Sequence, residues 1–134
     1  MLKKTVIPLA ISILLGSCTM RMPADFIASP SGRYKLKVDL NRDKSNKKNY
    51  NCVLLAVCDS SYKEMSTFQT GASNTMKWAV GWYPLQDTVI LNSKDIGTYA
   101  YRVSADGKLM SIPVDKAIES KGEEIFRKKY ADTK

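Results

Sequence analysis

Between Arg33 and Ile112, each stretch of apolar or alternating residues ends within about eight positions at a cluster of Gly, Pro, Asn, Asp or Ser. That punctuation favours short strands joined by tight turns over long helices. The clearest segment is Arg33–Leu40, where Tyr34, Leu36, Val38 and Leu40 alternate with Arg33, Lys35, Lys37 and Asp39. A period of two with charges on one parity describes a half-buried strand with a charged outer face. Cys52–Cys58 is apolar on both parities and reads as a central strand covered on both faces. Tyr62–Phe68, Met76–Tyr83, Thr88–Asn92, Thr98–Val103 and Lys108–Ile112 follow as further strands, with Thr70–Asn74 as a loop and Asp106-Gly107 as a two-residue hairpin signal.

After Pro113 the period changes. Val114, Ile118, Ile125, Phe126 and Tyr130 fall at helical spacing, with Asp115 near the start and Arg127, Lys128 and Lys129 in the last turn. This is an amphipathic helix whose charges complement its dipole, and Gly122 is placed to split it into two pieces. The expected fold is mainly β (α+β): an antiparallel meander of six to seven short strands with a C-terminal amphipathic helix on one face or edge. A propeller is excluded, because four blades of about 40 residues exceed the chain.

The N-terminus carries a different signal. Lys3 and Lys4 precede an apolar run from Thr5 to Gly16, followed by Ser17 and Cys18. A run of about 12 residues is well short of the roughly 20 that a spanning helix needs, so it reads as a secretory signal peptide. At Leu15-Gly16-Ser17-Cys18 the chain resembles the lipobox of bacterial lipoproteins, over residues 1–18 only. The resemblance implies that a diacylglyceryl group joins the Cys18 sulfur, that cleavage falls just before it, and that the new amino group is often acylated. Residues 1–17 are then a lipoprotein signal peptide, 18–32 a lipidated tether rich in Pro and Ser, and 33–134 a single β-rich domain with the C-terminal helix. Loss of residues 1–17 removes Lys3 and Lys4, leaving 117 residues and a formal charge of +6. The resemblance further implies a bacterial cell-envelope location held through lipid at Cys18. Thr19, rather than aspartate, follows the cysteine, which favours the outer over the inner membrane in a host of the enteric type.

The 134 residues contain no histidine, which removes Ser-His-Asp and Cys-His relays, His-ligated zinc and imidazole acid–base chemistry. Asp87, Asp95 and Asp106 all fall at turns, and turn formation accounts for them better than paired acid–base work. Cys52 and Cys58 share a face of one strand about 20 Å apart, too far for a disulfide unless the chain turns between them. Two buried thiols are the favoured reading and a bridge the alternative. The expectation is therefore a non-enzyme without cofactor or metal.

Two groups of residues have the chemistry of a contact surface. Arg42, Lys44, Lys47 and Lys48 lie in one polar loop, with Arg127, Lys128, Lys129 and Lys134 at the end of the chain. Among the aromatics, Trp78 and Trp82 share one strand face and Tyr99 and Tyr101 share another. They fill the core on one reading; on the other, Trp82, Tyr83 and Tyr99 stay exposed as a platform for a sugar ring or a protein. The candidate partner surface combines Arg42, Lys44, Lys47 and Lys48 with Trp82, Tyr83 and Tyr99. Nucleic acid is set aside as a partner, since the chain is read as exported and has no recognisable binding motif. The expected function is a lipid-anchored, non-enzymatic binding module of the envelope, of the inhibitor or immunity type. A structural accessory that contacts cell wall or an envelope complex is the alternative. The mature part also looks like small uncharacterised bacterial lipoproteins at Lys77–Trp82 and Asp95–Tyr101, a likeness that implies no activity.

Overall fold

The computed structural model describes residues 26–131, so the expected signal peptide, Cys18, the expected tether up to Asp25, and Lys134 lie outside the described residues. The order of elements is β1 (Phe26–Ala28), β2 (Tyr34–Leu40), β3 (Cys52–Asp59), β4 (Glu64–Ser73), β5 (Trp78–Tyr83), β6 (Thr88–Ser93), β7 (Gly97–Val103), β8 (Leu109–Ile112) and α1 (Lys116–Tyr130). The protein is mainly β, as the punctuated sequence predicts. The meander is cut in two, however: β1-β2-β3-β4 form one antiparallel sheet and β5-β6-β7-β8 a second.

The sheets pack face to face around one apolar cluster. Leu36, Val53, Leu55 and Val57 of the first sheet meet Val89, Leu91 and Tyr101 of the second. Registers explain the choice: Leu36 lies opposite Val57 and Val38 opposite Leu55, so one parity of both strands enters the core. Trp82 is 8% exposed and belongs to this core. Its indole Nε1 donates to the Ile27 carbonyl at 3.1 Å, joining the sheets along one side. The platform reading is thereby corrected for Trp82, because a large ring that faces the opposing sheet is worth more buried than exposed.

The eighth strand, β1, was not expected. Phe26, Ile27 and Ala28 pair with Lys37, Leu36 and Lys35, so the folded part starts ahead of Arg33 and the tether expected over 18–32 loses its last residues to the sheet. Between β3 and β4 the register slips twice. From Leu54↔Gln69 to Cys52↔Ser73, two extra residues enter β4, so Thr70–Ser73 is bulged strand where a loop was expected. The Thr70 Oγ1 donates to the Val53 carbonyl at 2.7 Å and holds the bulge in place. At the last hairpin, Gly107 N–H bonds to the Ser104 carbonyl and Ser104 N–H to the Lys108 carbonyl. The loop is thus three residues, Ala105-Asp106-Gly107, with Gly107 at φ +80°, rather than two.

The outer face of the second sheet carries α1. Ile118 and Ile125 pack against Ile90 and Ala100, with Tyr83 and Ile112 at the margin. Asp115 caps the helix by accepting the Ile118 N–H at 2.8 Å, and Arg127, Lys128 and Lys129 fill its last turn. Gly122 does not split the helix. It is buried, and a Cβ there would stand 3.2 Å from Ile90 Cγ2, so the glycine lets the helix lie close on the sheet.

β3 is central in its sheet, as expected, but its second face has no further layer among the described residues. Cys52, Ala56 and Cys58 are buried there. Ala56 lies between Lys37 and Thr67, and Cys58 between Lys35 and Glu64, so long neighbours on the same sheet shelter short side chains.

Candidate functional site

The two ends of the sandwich differ in chemistry. One end, here the turn end, holds the β1–β2, β3–β4, β5–β6 and β7–β8 connections and the start of α1. Several side chains tie it together. Ser31 Oγ donates to Asp87 Oδ2 at 2.8 Å, the Val103 N–H donates to the Asp87 carbonyl at 3.0 Å, and Ser66 Oγ donates to the Gly107 carbonyl at 2.6 Å.

A cleft of about 660 Å³ opens at this end, between the Pro30–Arg33 turn and the Pro84–Asp87 turn. Arg33 and Arg102 supply its cations. Arg33 is held by Tyr34, whose hydroxyl accepts its guanidinium at 3.2 Å, and Arg102 Nη2 donates to Gln86 Oε1 at 2.7 Å. Leu85 stands on the rim, 65% exposed, next to Gln86 at φ 63°. The Arg102–Gln86 pair also borders a recess of about 300 Å³ lined by Tyr83, Thr88, Pro113 and Asp115. Registers place Tyr83 opposite Thr88 and Thr88 opposite Arg102, so these three form one row across the helix side of the second sheet. The Thr88 hydroxyl is buried with no hydrogen-bond partner among the described residues.

The other end, the loop end, holds the β2–β3 loop, the β4–β5 and β6–β7 connections and the end of α1. Arg42, Lys44, Lys47 and Lys48 are exposed there as expected. The Asn74 N–H bonds to the Asn51 carbonyl, Ser73 N–H to Asp95 Oδ2 and Lys94 N–H to the Lys77 carbonyl, which brings the three connections side by side. Tyr99, 42% exposed and stacked on Tyr101 with 6.5 Å between ring centroids, starts β7 beside this group. The surface expected from the sequence is therefore divided. The basic loop and Tyr99 share the loop end, Trp82 is in the core, and Tyr83 lies by the recess at the turn end.

The cleft cations Arg33 and Arg102 and the rim residue Leu85 were missed. An exposed leucine in a Pro-Leu-Gln-Asp turn is the one local sign of them, since a turn needs polar residues and not that side chain.

Three aspartates at the two ends make structural hydrogen bonds. Asp87 is engaged with Ser31, Asp95 with the Ser73 N–H, and Asp115 with the helix start. Asp106 accepts from Ser104, which holds its carboxyl below the usual range. Cys52 and Cys58 are unbridged, and burial pushes both thiols up. Among the described residues no three His, Cys, Asp or Glu side chains are grouped to hold a metal ion, and no helix is long and apolar enough to cross a membrane. The chain matches no protein-family model, no curated protein and no solved structure.

Proposed function

We propose that the protein is a lipid-anchored component of the bacterial cell envelope whose domain captures a partner and carries out no reaction. The anchor rests on the lipobox at Leu15–Cys18. The observation that favours capture is the turn-end cleft, where an exposed Leu85 stands beside two arginines, each steadied by a neighbour. Arginine in a concave surface is among the residue types that dominate protein-binding energy, and Leu85 on the rim adds an exposed apolar contact beside the two. Asp87, Asp95 and Asp115 are engaged in turn and cap bonds, and burial disfavours both thiols as thiolates.

Affinity capture from the envelope of the producing bacterium tests this reading. The wild-type chain should retain a stoichiometric soluble protein, and Leu85→Asp or Arg102→Glu should each lower its retention at least tenfold. Retention unchanged in both variants counts against the cleft. Sedimentation of the wild-type chain with cell wall, with no soluble partner, would support the accessory role instead.

A further inference from the structure

We propose that the loop end of the sandwich docks on the anionic lipid surface that carries the anchor, leaving the turn-end cleft directed away from the membrane. This rests on the anchor reading but adds an orientation and a second contact to it. The first observation is the distribution of charge. Of the 17 Lys and Arg among the described residues, nine are at the loop end: four in the β2–β3 loop, Lys77, Lys94, and three in the last turn of α1. The carboxylates among them are few. Asp39 is 3.7 Å from Arg42, Asp43 accepts from Ser45, Asp95 accepts from the Ser73 N–H, and Glu124 pairs with Lys121 and Lys128. At the turn end carboxylates outnumber cations, six to five. The fold gathers this charge from four separate segments of the chain.

Side chains of the interfacial type stand among these cations. Tyr50 in the β2–β3 loop is 43% exposed and Met76 in the β4–β5 connection 46% exposed. They are brought close by the bond from Asn74 N–H to the Asn51 carbonyl. Lysine and arginine around exposed tyrosine and methionine fit a headgroup layer, where the charges meet lipid phosphates and the apolar atoms enter the boundary. Three of the ammonium groups are held on the surface by rings: Lys129 Nζ lies 3.4 Å from the Trp78 centroid, Lys94 Nζ 5.0 Å from Phe126 and Lys77 Nζ 5.0 Å from Tyr130.

The direction of β1 supplies the third observation. Phe26 pairs with Lys37 and Ala28 with Lys35, while β2 runs on through Leu40 to the basic loop. The chain therefore enters the sheet from the loop end. Eight peptide units separate Cys18 from Phe26, a reach of at most about 28 Å. The chain that precedes Phe26 thus arrives from the side of the basic loop, the side on which the docking would place the lipid of Cys18.

The test uses the processed protein purified from membranes of the producing bacterium and floated with vesicles of phosphatidylcholine alone, or of phosphatidylcholine with about one-third phosphatidylglycerol, followed by brief labelling with an amine reagent and mass spectrometry. A cation near an anionic surface raises partitioning about fivefold, so loop-end lysines should be the ones shielded. The expected result is flotation on both vesicles, with Lys44, Lys47, Lys48 and Lys77 labelled at least about fivefold more slowly on the anionic ones and Lys63 and Lys108 unchanged. A K47E/K48E variant should float as before on neutral vesicles and lose most of that difference. Flotation on anionic vesicles alone supports the docking and counts against the anchor. Flotation on both with equal labelling overturns the docking and leaves the anchor standing, and flotation on neither overturns both. Shielding of the same lysines before vesicles are added, by a co-purified acidic protein, assigns the loop end to that protein and also overturns the docking.

Discussion

The Tyr130 hydroxyl accepts the Trp78 N–H at 3.0 Å and donates to the Trp78 carbonyl at 2.8 Å. β5 is an edge strand, and at Trp78 its outward backbone groups are satisfied by a side chain from the last turn of the helix instead of by a neighbouring strand. Lys129 Nζ adds a second donor to the same carbonyl at 2.6 Å. The helix thus closes the edge as well as covering the face.

Tyr130→Phe should therefore lower stability by about 1–2 kcal/mol, the cost of leaving the partly buried Trp78 N–H without its acceptor. Denaturant unfolding measures the loss, and amide exchange at Trp78 should quicken more than at Val80. Equal exchange at both positions would show that the hydroxyl does not protect the edge.

Gly81 sets the distance between helix and sheet. A Cβ there would lie 2.8 Å from Ile125 Cδ1 and 3.2 Å from its Cγ atoms. Gly81→Ala should cost about 1–3 kcal/mol, because Ile125 must leave its rotamer or the helix must lift. In an Ile125→Val background, which removes Cδ1, the same substitution should cost measurably less. A double-mutant cycle with no coupling would contradict the contact.

Burial drives the Tyr101 phenol up to about 12 from an ordinary value near 10. Between those two values the unfolded chain gives up this proton and the folded one keeps it, so stability falls as pH rises from 10 to 12. The decrease should be on the order of 2 kcal/mol. Chemical denaturation across that range should show it, and Tyr101→Phe should remove this component.

Cys52 and Cys58 should both react with an alkylating reagent once the unreduced protein is unfolded, and neither should react quickly while it is folded. They stand on one face of β3, and both are buried. A mass two hydrogens lighter, with neither thiol modified, would mean that the strand between them is not as described.

The alternation in Arg33–Leu40 and the helical spacing after Pro113 specified real elements, and Asp115, Arg127, Lys128 and Lys129 cap and complement α1 as read. Division into two sheets was not legible. Asn74–Lys77 looks like any hairpin connection, and alternation says which side chains face inward but not which strand lies next door. β1 is three residues long, too short to show a period. Trp82 and Tyr83 are adjacent on a strand and so face opposite sides, which is why they cannot belong to one platform. Gly122 weakens a helix taken alone, yet the close approach of Ile90 makes it the residue that fits. The loop-end charge was half visible: the Arg42–Lys48 group stands in one segment, but its union with Lys77, Lys94 and the helix terminus exists only in three dimensions.

Lipid on Cys18 is the central proposal for this protein. Growth of the producing bacterium with a fatty-acid analogue, comparing wild type with Cys18→Ala, tests it directly. The wild-type chain should take up label and run at the mass of residues 18–134 plus lipid. The variant should remain unlabelled at full precursor length. Equal labelling of the two, or a wild-type chain cleaved elsewhere and free of lipid, would contradict a domain held on the membrane by its first residue.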